Sequence, residues 1–209
     1  MQMLHPHCGS IQQYMEQIED PDRGRPSSCP QCRSKERLKA HGFYSRTIVD
    51  EAFDGLIRIR RYLCQACLRT VSLLPGWALP FMRFSIPVIA KTVKARLIEN
   101  RAWKAAAPYQ RGQHWVRRLA KQAEPLSAAL AALTAASAAP SFISRALGML
   151  EKAGWTVAHR FLFSDLRMHL LGWGRFLAPH GLRITINAVC STPGAFPQTT
   201  CIDSENPSD

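Results

Sequence analysis

Apolar positions repeat with two different periods along this chain. From Phe43 to Asp50 (FYSRTIVD) and from Leu56 to Leu63 (LIRIRRYL) the pattern is that of strands, with Ile57 and Ile59 alternating with Arg58 and Arg60. The Asp54-Gly55 pair between the two runs is a hairpin turn signal, and RTVSLL (69–74) supplies a third strand. PGWALPFMRF then carries two breakers, Pro75 and Pro80, and three packing residues, Trp77, Phe81 and Phe84, which reads as a short, partly buried linker.

Past this linker the period lengthens to that of helices. Ser85 is placed to cap a helix over 86–98 whose Ile86, Ile89, Ala90, Val93 and Leu97 share a face. Asn100 can cap a shorter helix, RAWKAAA, with Trp103, Ala106 and Ala107 inward and Pro108 at its end. After a turn at YQRG, QHWVRRLAKQAE predicts a third helix held by Trp115, Val116, Leu119 and Ala123. An Ala-rich helix, SAALAALTAASAA, follows, and then SFISRALGMLEKAG between a Ser141 cap and a Gly154 stop. WTVAHRFLFSDLRMHLLGWG places Val157, Phe161, Leu162, Leu166 and Leu170 at helical spacing, which predicts a helical hairpin. From Pro179 the chain reads as one strand, LRITINAV, and an irregular tail whose composition predicts disorder.

Composition alters this picture in one respect, the distribution of charge. The formal net charge is +12, yet residues 1–80 carry +3, residues 81–122 carry +9 and residues 123–209 balance to zero. A basic segment of that density attracts a polyanion, either nucleic acid or an anionic membrane surface. The uncharged stretch from Pro125 to Ser144 has the length of a membrane span but consists mostly of Ala, Ser and Thr, with Pro140 inside it; Leu126, Leu130 and Leu133 suit a soluble amphipathic helix better. The N-terminus has neither a basic region nor an apolar core of signal-peptide type, and seven cysteines do not make a disulfide scaffold. The expectation is a cytoplasmic, nucleoid-associated protein without a membrane partner.

The strongest chemical signal is Cys29-Pro-Gln-Cys32 and Cys64-Gln-Ala-Cys67, two C-x2-C pairs with 31 residues between them. Two such turns, brought together by the intervening hairpin, complete a tetrahedron of thiolates, for which one Zn2+ is the natural occupant. Four thiolates leave no open coordination position, so the ion would be structural, in a three-stranded zinc ribbon. A redox dithiol and ordinary buried cysteines are the alternatives; the first needs a single C-x2-C at a strand-to-helix junction. His5, His7 and Cys8 lie on a terminus expected to fray, and Cys190 and Cys201 read as unpaired thiols.

CPQCRS, HGFYSRTIVD, IRIRRYLCQAC and LRTVSLLP resemble the N-terminal zinc ribbon of bacterial transposase-type proteins, in which C-P-x-C-G-S and R-Y-x-C-x-x-C-G-R-T recur. They are especially similar to small proteins that pair such a ribbon with a helix-turn-helix and lack a nuclease core. The likeness is specific over residues 28–84 and weakens towards 122. Arg33 and Leu68 stand where those proteins usually have glycine, the residue that most easily takes the left-handed turn closing a knuckle.

Three helices with a basic third one suggest a helix-turn-helix whose last helix enters the major groove of duplex DNA. Gln110, Arg111, Gln113, His114 and Arg117, at its N-terminal end, would lie nearest base edges, and Arg118, Lys121, Lys91, Lys94 and Arg101 would meet phosphates. Gln110 occupies a position that is glycine in many such motifs. The last 87 residues offer too few acidic side chains, and no run of apolar strands, for a two-metal nuclease core. Phosphate-cradling glycine loops, serine nucleophile elbows and H-E-x-x-H pairs are also missing. His159 and His169, ten residues apart, read as surface or packing residues.

The expected protein is therefore α+β, mostly α, and not an enzyme. Its parts are a flexible N-terminal segment (1–27), a three-stranded zinc ribbon (28–75), a linker (76–84), a helix-turn-helix (85–123), a helical region (124–178) that could mediate self-association, and a disordered tail (179–209). Its partner is duplex DNA, with no small-molecule substrate; a transcriptional regulator built of the same parts and a zinc-ribbon adaptor for another protein are the alternatives.

Overall fold

The central hairpin follows from the alternation around Ile57 and Ile59. In the computed structural model, which describes residues 1–5, 9–99, 108–135 and 138–172, β2 (Lys39–Val49) pairs antiparallel with β3 (Asp54–Leu63), and Ile48, Ile57 and Ile59 are fully buried. The turn falls earlier than expected. Val49 pairs with Asp54, so residues 50–53 make the turn, closed by an Asp50 N–H to Phe53 carbonyl bond of 2.7 Å. Asp54-Gly55 instead opens β3, with the tip of the Phe53 ring lying over Gly55. β4 (Thr70–Leu74) pairs antiparallel with β3.

The sheet has four strands rather than the expected three. β1 (Gln2–Leu4) joins β4 in parallel, giving the order β1-β4-β3-β2. Residues 1–27, expected to be a flexible segment, contribute both this strand and α1 (Ile11–Gln17). The signal was present but short. Ser10 and Gln13 form a reciprocal capping box, and behind it Tyr14 and Ile18 are the apolar pair that anchors the helix. Tyr14 is fully buried, with its ring edge-on to Trp77 at 5.8 Å. The C-terminal end of α1 is held by Arg60, which is nearly buried and donates to the carbonyls of Ile18 (2.7 Å) and Glu19 (2.7 Å). A cation at that end satisfies helix carbonyls and complements the dipole.

The segment between sheet and helices is mostly buried, with one departure: Phe81, expected to pack, is 59% exposed. Trp77, Ala78, Leu79, Met82 and Phe84 are core residues, and bridges Val49–Phe84 and Ala78–Ser85 tie the segment to the sheet. Ser85 caps α2 (Ile86–Leu97), its Oγ accepting from the Val88 N–H, and Ile86, Ile89, Ala90 and Val93 are buried as expected. α3 (Tyr109–Lys121) begins four residues before the predicted start, because YQRG continues the helix instead of turning. Pro108 fits at the N-cap position, where no N–H is needed.

The Ala-rich stretch is not one long helix. α4 (Ala123–Leu130) stops at Leu130, and turns follow, while Leu126 and Leu130 are buried and Leu133 packs against the core. α5 (Phe142–Ala153) has the predicted Ser141 cap and ends at Gly154, whose φ of 79° suits glycine. α6 (Trp155–Ser164) is shorter than its pattern suggested, and Leu166 and Leu170 reach the same core from the turns beyond it. Helices α2 to α6 share one apolar core centred on Trp115, Leu119, Leu147 and Leu162. The expected RAWKAAA helix with Arg101, the LRITINAV strand, the tail, and His7, Cys8, Cys190 and Cys201 lie outside the described residues. No described helix is long and apolar enough to cross a membrane.

Candidate metal centre and basic helix

Two backbone loops of the same design carry the four cysteines. In the first, the Cys29 N–H donates to the Ser34 carbonyl (2.9 Å) and the Arg33 N–H returns to the Cys29 carbonyl (2.8 Å). In the second, the Cys64 N–H donates to the Arg69 carbonyl (3.0 Å) and the Leu68 N–H returns to the Cys64 carbonyl (2.9 Å). Each loop closes through a left-handed residue, Arg33 at φ 62° and Leu68 at φ 57°. These are the two positions where glycine was expected. The second loop is positioned by the end of β3 and the start of β4, so the ladder itself fixes its place.

The loops face each other. Sγ of Cys29 lies 3.8 Å from that of Cys67, and Sγ of Cys32 lies 3.7 Å from that of Cys64, so each contact joins one loop to the other. All four sulfurs fall within 4.8 Å of one another, close enough to hold a metal ion. Beneath them a small apolar cluster of Leu38, Tyr62, Val71 and Leu73 makes the floor, and the Tyr62 hydroxyl is tied to the Pro21 carbonyl at 2.9 Å. The strand alternation carries no sign of this floor, because Tyr62 has the parity of Arg58 and Arg60 and faces away from Ile57 and Ile59.

Backbone amides favour thiolates in both loops, while burial and the neighbouring sulfurs oppose more than one. The Cys67 amide, and then the neighbouring thiols, draw Cys64 down to about 7. At Cys32 a hydrogen bond from the Ser34 amide favours the thiolate, but burial and the three neighbouring sulfurs outweigh it and push the thiol up to about 12. A divalent cation reverses that opposition, because it neutralises the charge the sulfurs would otherwise share.

Glycine at either loop closure removes a steric conflict worth roughly 1 kcal/mol between Cβ and the following carbonyl. Leu68 is 75% exposed, so nothing in the core is lost with its side chain. Leu68→Gly, and likewise Arg33→Gly, should therefore raise the thermal midpoint and slow metal loss to a chelator by up to about fivefold. A lower midpoint in both variants would show that these side chains are needed for something other than the turn.

The basic helix is sorted by its own amphipathic pattern. Gly112, Trp115 and Leu119 are buried, with Trp115 edge-on to Phe84 at 5.1 Å, whereas Gln110, Arg111, His114, Arg117 and Lys121 are exposed. Gln113 is half-buried between the Tyr109 hydroxyl and Arg117. Burial, followed by Arg118, Arg111 and Arg117, holds the His114 imidazole below its ordinary range. The remaining expected contacts are placed differently. Arg118 is turned into the fold, donating to the carbonyls of Leu171 (2.8 Å) and Gly172 (2.6 Å). On α2, Lys91 pairs with Glu51 at 2.9 Å and Lys94 with Glu151 at 2.5 Å, so the two lysines fasten α2 to its neighbours.

No curated protein and no solved structure matches the chain. Residues 29–111 match a family model described as a domain of unknown function, DUF6431, so the likeness begins at the first metal-site cysteine, takes in the rest of the β2–β4 sheet and α2, and ends in the first turn of α3.

Proposed function

We propose that the chain is a zinc-stabilised protein that binds duplex DNA through α3, related to the DNA-binding part of transposase-type proteins and without a nuclease activity of its own. The observation that carries the reading is the face of α3. Arg111, His114, Arg117 and Lys121 are exposed on a helix whose opposite side is pinned into the core by Trp115 and Leu119. A rigid helix with an outward basic face is the element that enters a major groove, where arginine reads guanine and lysine meets phosphate. With α2 packed against it, α3 would serve as the last helix of a helix-turn-helix.

Zinc is supported by the donor set and its size. Four thiolates select a soft or borderline ion, and metal–sulfur bonds of about 2.3 Å give a tetrahedron edge of about 3.8 Å, which the two sulfur contacts between the loops approach. Such an ion would clamp the two loops and keep the sheet in place beside the helices.

The test is binding of labelled duplex across a salt series. Affinity should fall steeply with salt, and Arg117→Ala should weaken binding about tenfold while lowering the salt slope by about one. Arg118→Ala should act through stability, because its guanidinium is used by the Leu171 and Gly172 carbonyls. Unchanged affinity in Arg117→Ala would remove α3 as the reading helix. A protein-interaction adaptor would show neither salt dependence nor sequence preference.

A further inference from the structure

Beside the sheet lies an open groove of about 750 Å³ whose lining includes Arg46, Arg61, Arg83 and Arg167 together with the rings of Tyr44 and Phe81. These residues come from β2, β3, the segment before α2 and the turn after α6. We propose that this groove binds a nucleoside phosphate unit, with the phosphate taken by the arginines and the base by the two rings. The proposal concerns a different surface from the reading face of α3 and can fail independently of it.

Charge is the first argument. Among the described residues the groove's lining holds four guanidinium groups and no carboxylate. Arg83 pairs with the exposed Asp54 at 3.0 Å, whereas Arg46, Arg61 and Arg167 make no ion pair among the described residues. Arg46 is held in place by the carbonyls of Leu79 and Met82, and burial holds its guanidinium below its ordinary range. Arg61 donates to Thr70 Oγ1 at 3.3 Å. Each guanidinium has five N–H donors, so most of theirs are left to a ligand. A partly buried cation without a counter-ion is costly, and an anion seated among several of them offsets that cost.

Backbone strain is the second. Among the described residues four non-glycine positions have a positive φ: Arg33, Leu68, Phe81 (60°) and Arg167 (54°). Arg33 and Leu68 close the cysteine loops, and the other two both line this groove. Side chains held in the left-handed region cluster where a ligand is gripped. Phe81 is also 59% exposed, although it sits within a segment that is otherwise core. A large ring held at the surface at a conformational cost presents area on which a base can stack, a contact worth about 1–3 kcal/mol per base. The volume falls in the range of small-ligand sites.

The nucleotide could be free or part of a single strand, and the experiment separates these sources. The full-length, zinc-loaded protein is titrated with labelled dA10, with unlabelled dAMP and inorganic phosphate as competitors, and dAMP is also titrated directly by calorimetry. Phe81→Gly and Arg167→Gly are the informative variants, since glycine takes the left-handed backbone without strain and should leave the melting temperature unchanged or higher. Binding should fall at least tenfold in both, phosphate should compete at least tenfold less well than dAMP, and Arg117→Ala should leave groove binding unaltered. If dAMP binds and dA10 does not, the natural ligand is a free nucleotide; if both bind, a strand can supply it. The proposal is overturned if neither binds, if Phe81→Gly and Arg167→Gly bind as well as wild type, if phosphate matches dAMP, or if Arg117→Ala loses as much as Arg167→Gly. Duplex binding that is lost in Arg117→Ala and kept in Phe81→Gly would uphold the α3 reading whatever the groove does.

Discussion

Replacing Cys64 with serine is expected to abolish stoichiometric zinc and to release the end of the sheet that carries the cysteines. Cys64 is 1% exposed, and its loop is closed on itself by the Arg69 and Leu68 hydrogen bonds, so a serine there puts a hard, neutral oxygen where a thiolate must sit. Structural zinc in small cysteine sites contributes about 10–16 kcal/mol of apparent binding free energy at neutral pH, which becomes folding free energy because the site does not exist in the unfolded chain. Little else holds this end. The apolar floor comprises only a few side chains, among them Leu38, Tyr62, Val71 and Leu73. The helical core is separate and larger, so helical circular dichroism should persist while amide exchange at Tyr62, Val71 and Leu73 accelerates by orders of magnitude. Chelation of the wild type should reproduce the same pattern. A Cys64→Ser protein without metal that keeps wild-type exchange protection at those three residues would show that the cysteines are packing residues and not a metal clamp.

What could be read in the sequence, and what could not, divides along contact distance. The C-x2-C pairs, the Ser85 and Ser141 caps, the Gly154 stop and the strand alternation as far as Ile59 are local patterns, and each appears in the structure; the alternation fails at Arg60, which is buried against the end of α1. Arg33 and Leu68 are an instructive case: a departure from glycine at the loop closures was visible in the sequence, and the backbone takes the left-handed conformation despite the side chains. Errors arose where distant partners decide. β1 is only three residues long and exists because β4 offers it an edge. YQRG reads locally as a turn, yet it forms the first turn of α3, with Gly112 buried inside the helix. The partners of Arg118 and Lys94, namely Leu171, Gly172 and Glu151, lie more than fifty residues away, where no local pattern reaches them. The groove arginines were invisible for the same reason, being drawn from four separate stretches.

Acid should destabilise the helical half well before carboxylates titrate, because two histidines are buried there as neutral bases. His159 is fully buried, neither ring nitrogen has a hydrogen-bond partner among the described residues, and burial, then His169 and Arg160, holds it down at about 3. His169 is 2% exposed and held down at about 4, by burial first, with Arg118 adding to this and a contact to the Pro80 carbonyl opposing it. A base whose folded pKa lies below its unfolded value near 6.5 takes up its proton on unfolding. The associated stability is fully present above about pH 6.5 and is lost as pH falls towards 4 and then 3. Each proton is worth about 1.4 kcal/mol per pH unit, so the pair can remove on the order of 2–5 kcal/mol between pH 6.5 and 4.5, a large part of the stability of an ordinary domain. Thiolate protonation would release zinc over part of the same range, so the comparison must hold the metal site constant. His159→Leu does this: it removes one of the two bases, leaves all four cysteines in place and substitutes an apolar side chain for an imidazole with no polar partner. Urea midpoints measured from pH 7.5 to 4.5 should converge less steeply on zero in the variant, by close to one proton's worth of slope, with near equality at pH 7.5. Parallel curves for wild type and His159→Leu would mean that His159 titrates alike in folded and unfolded chains and is therefore not sealed in the core.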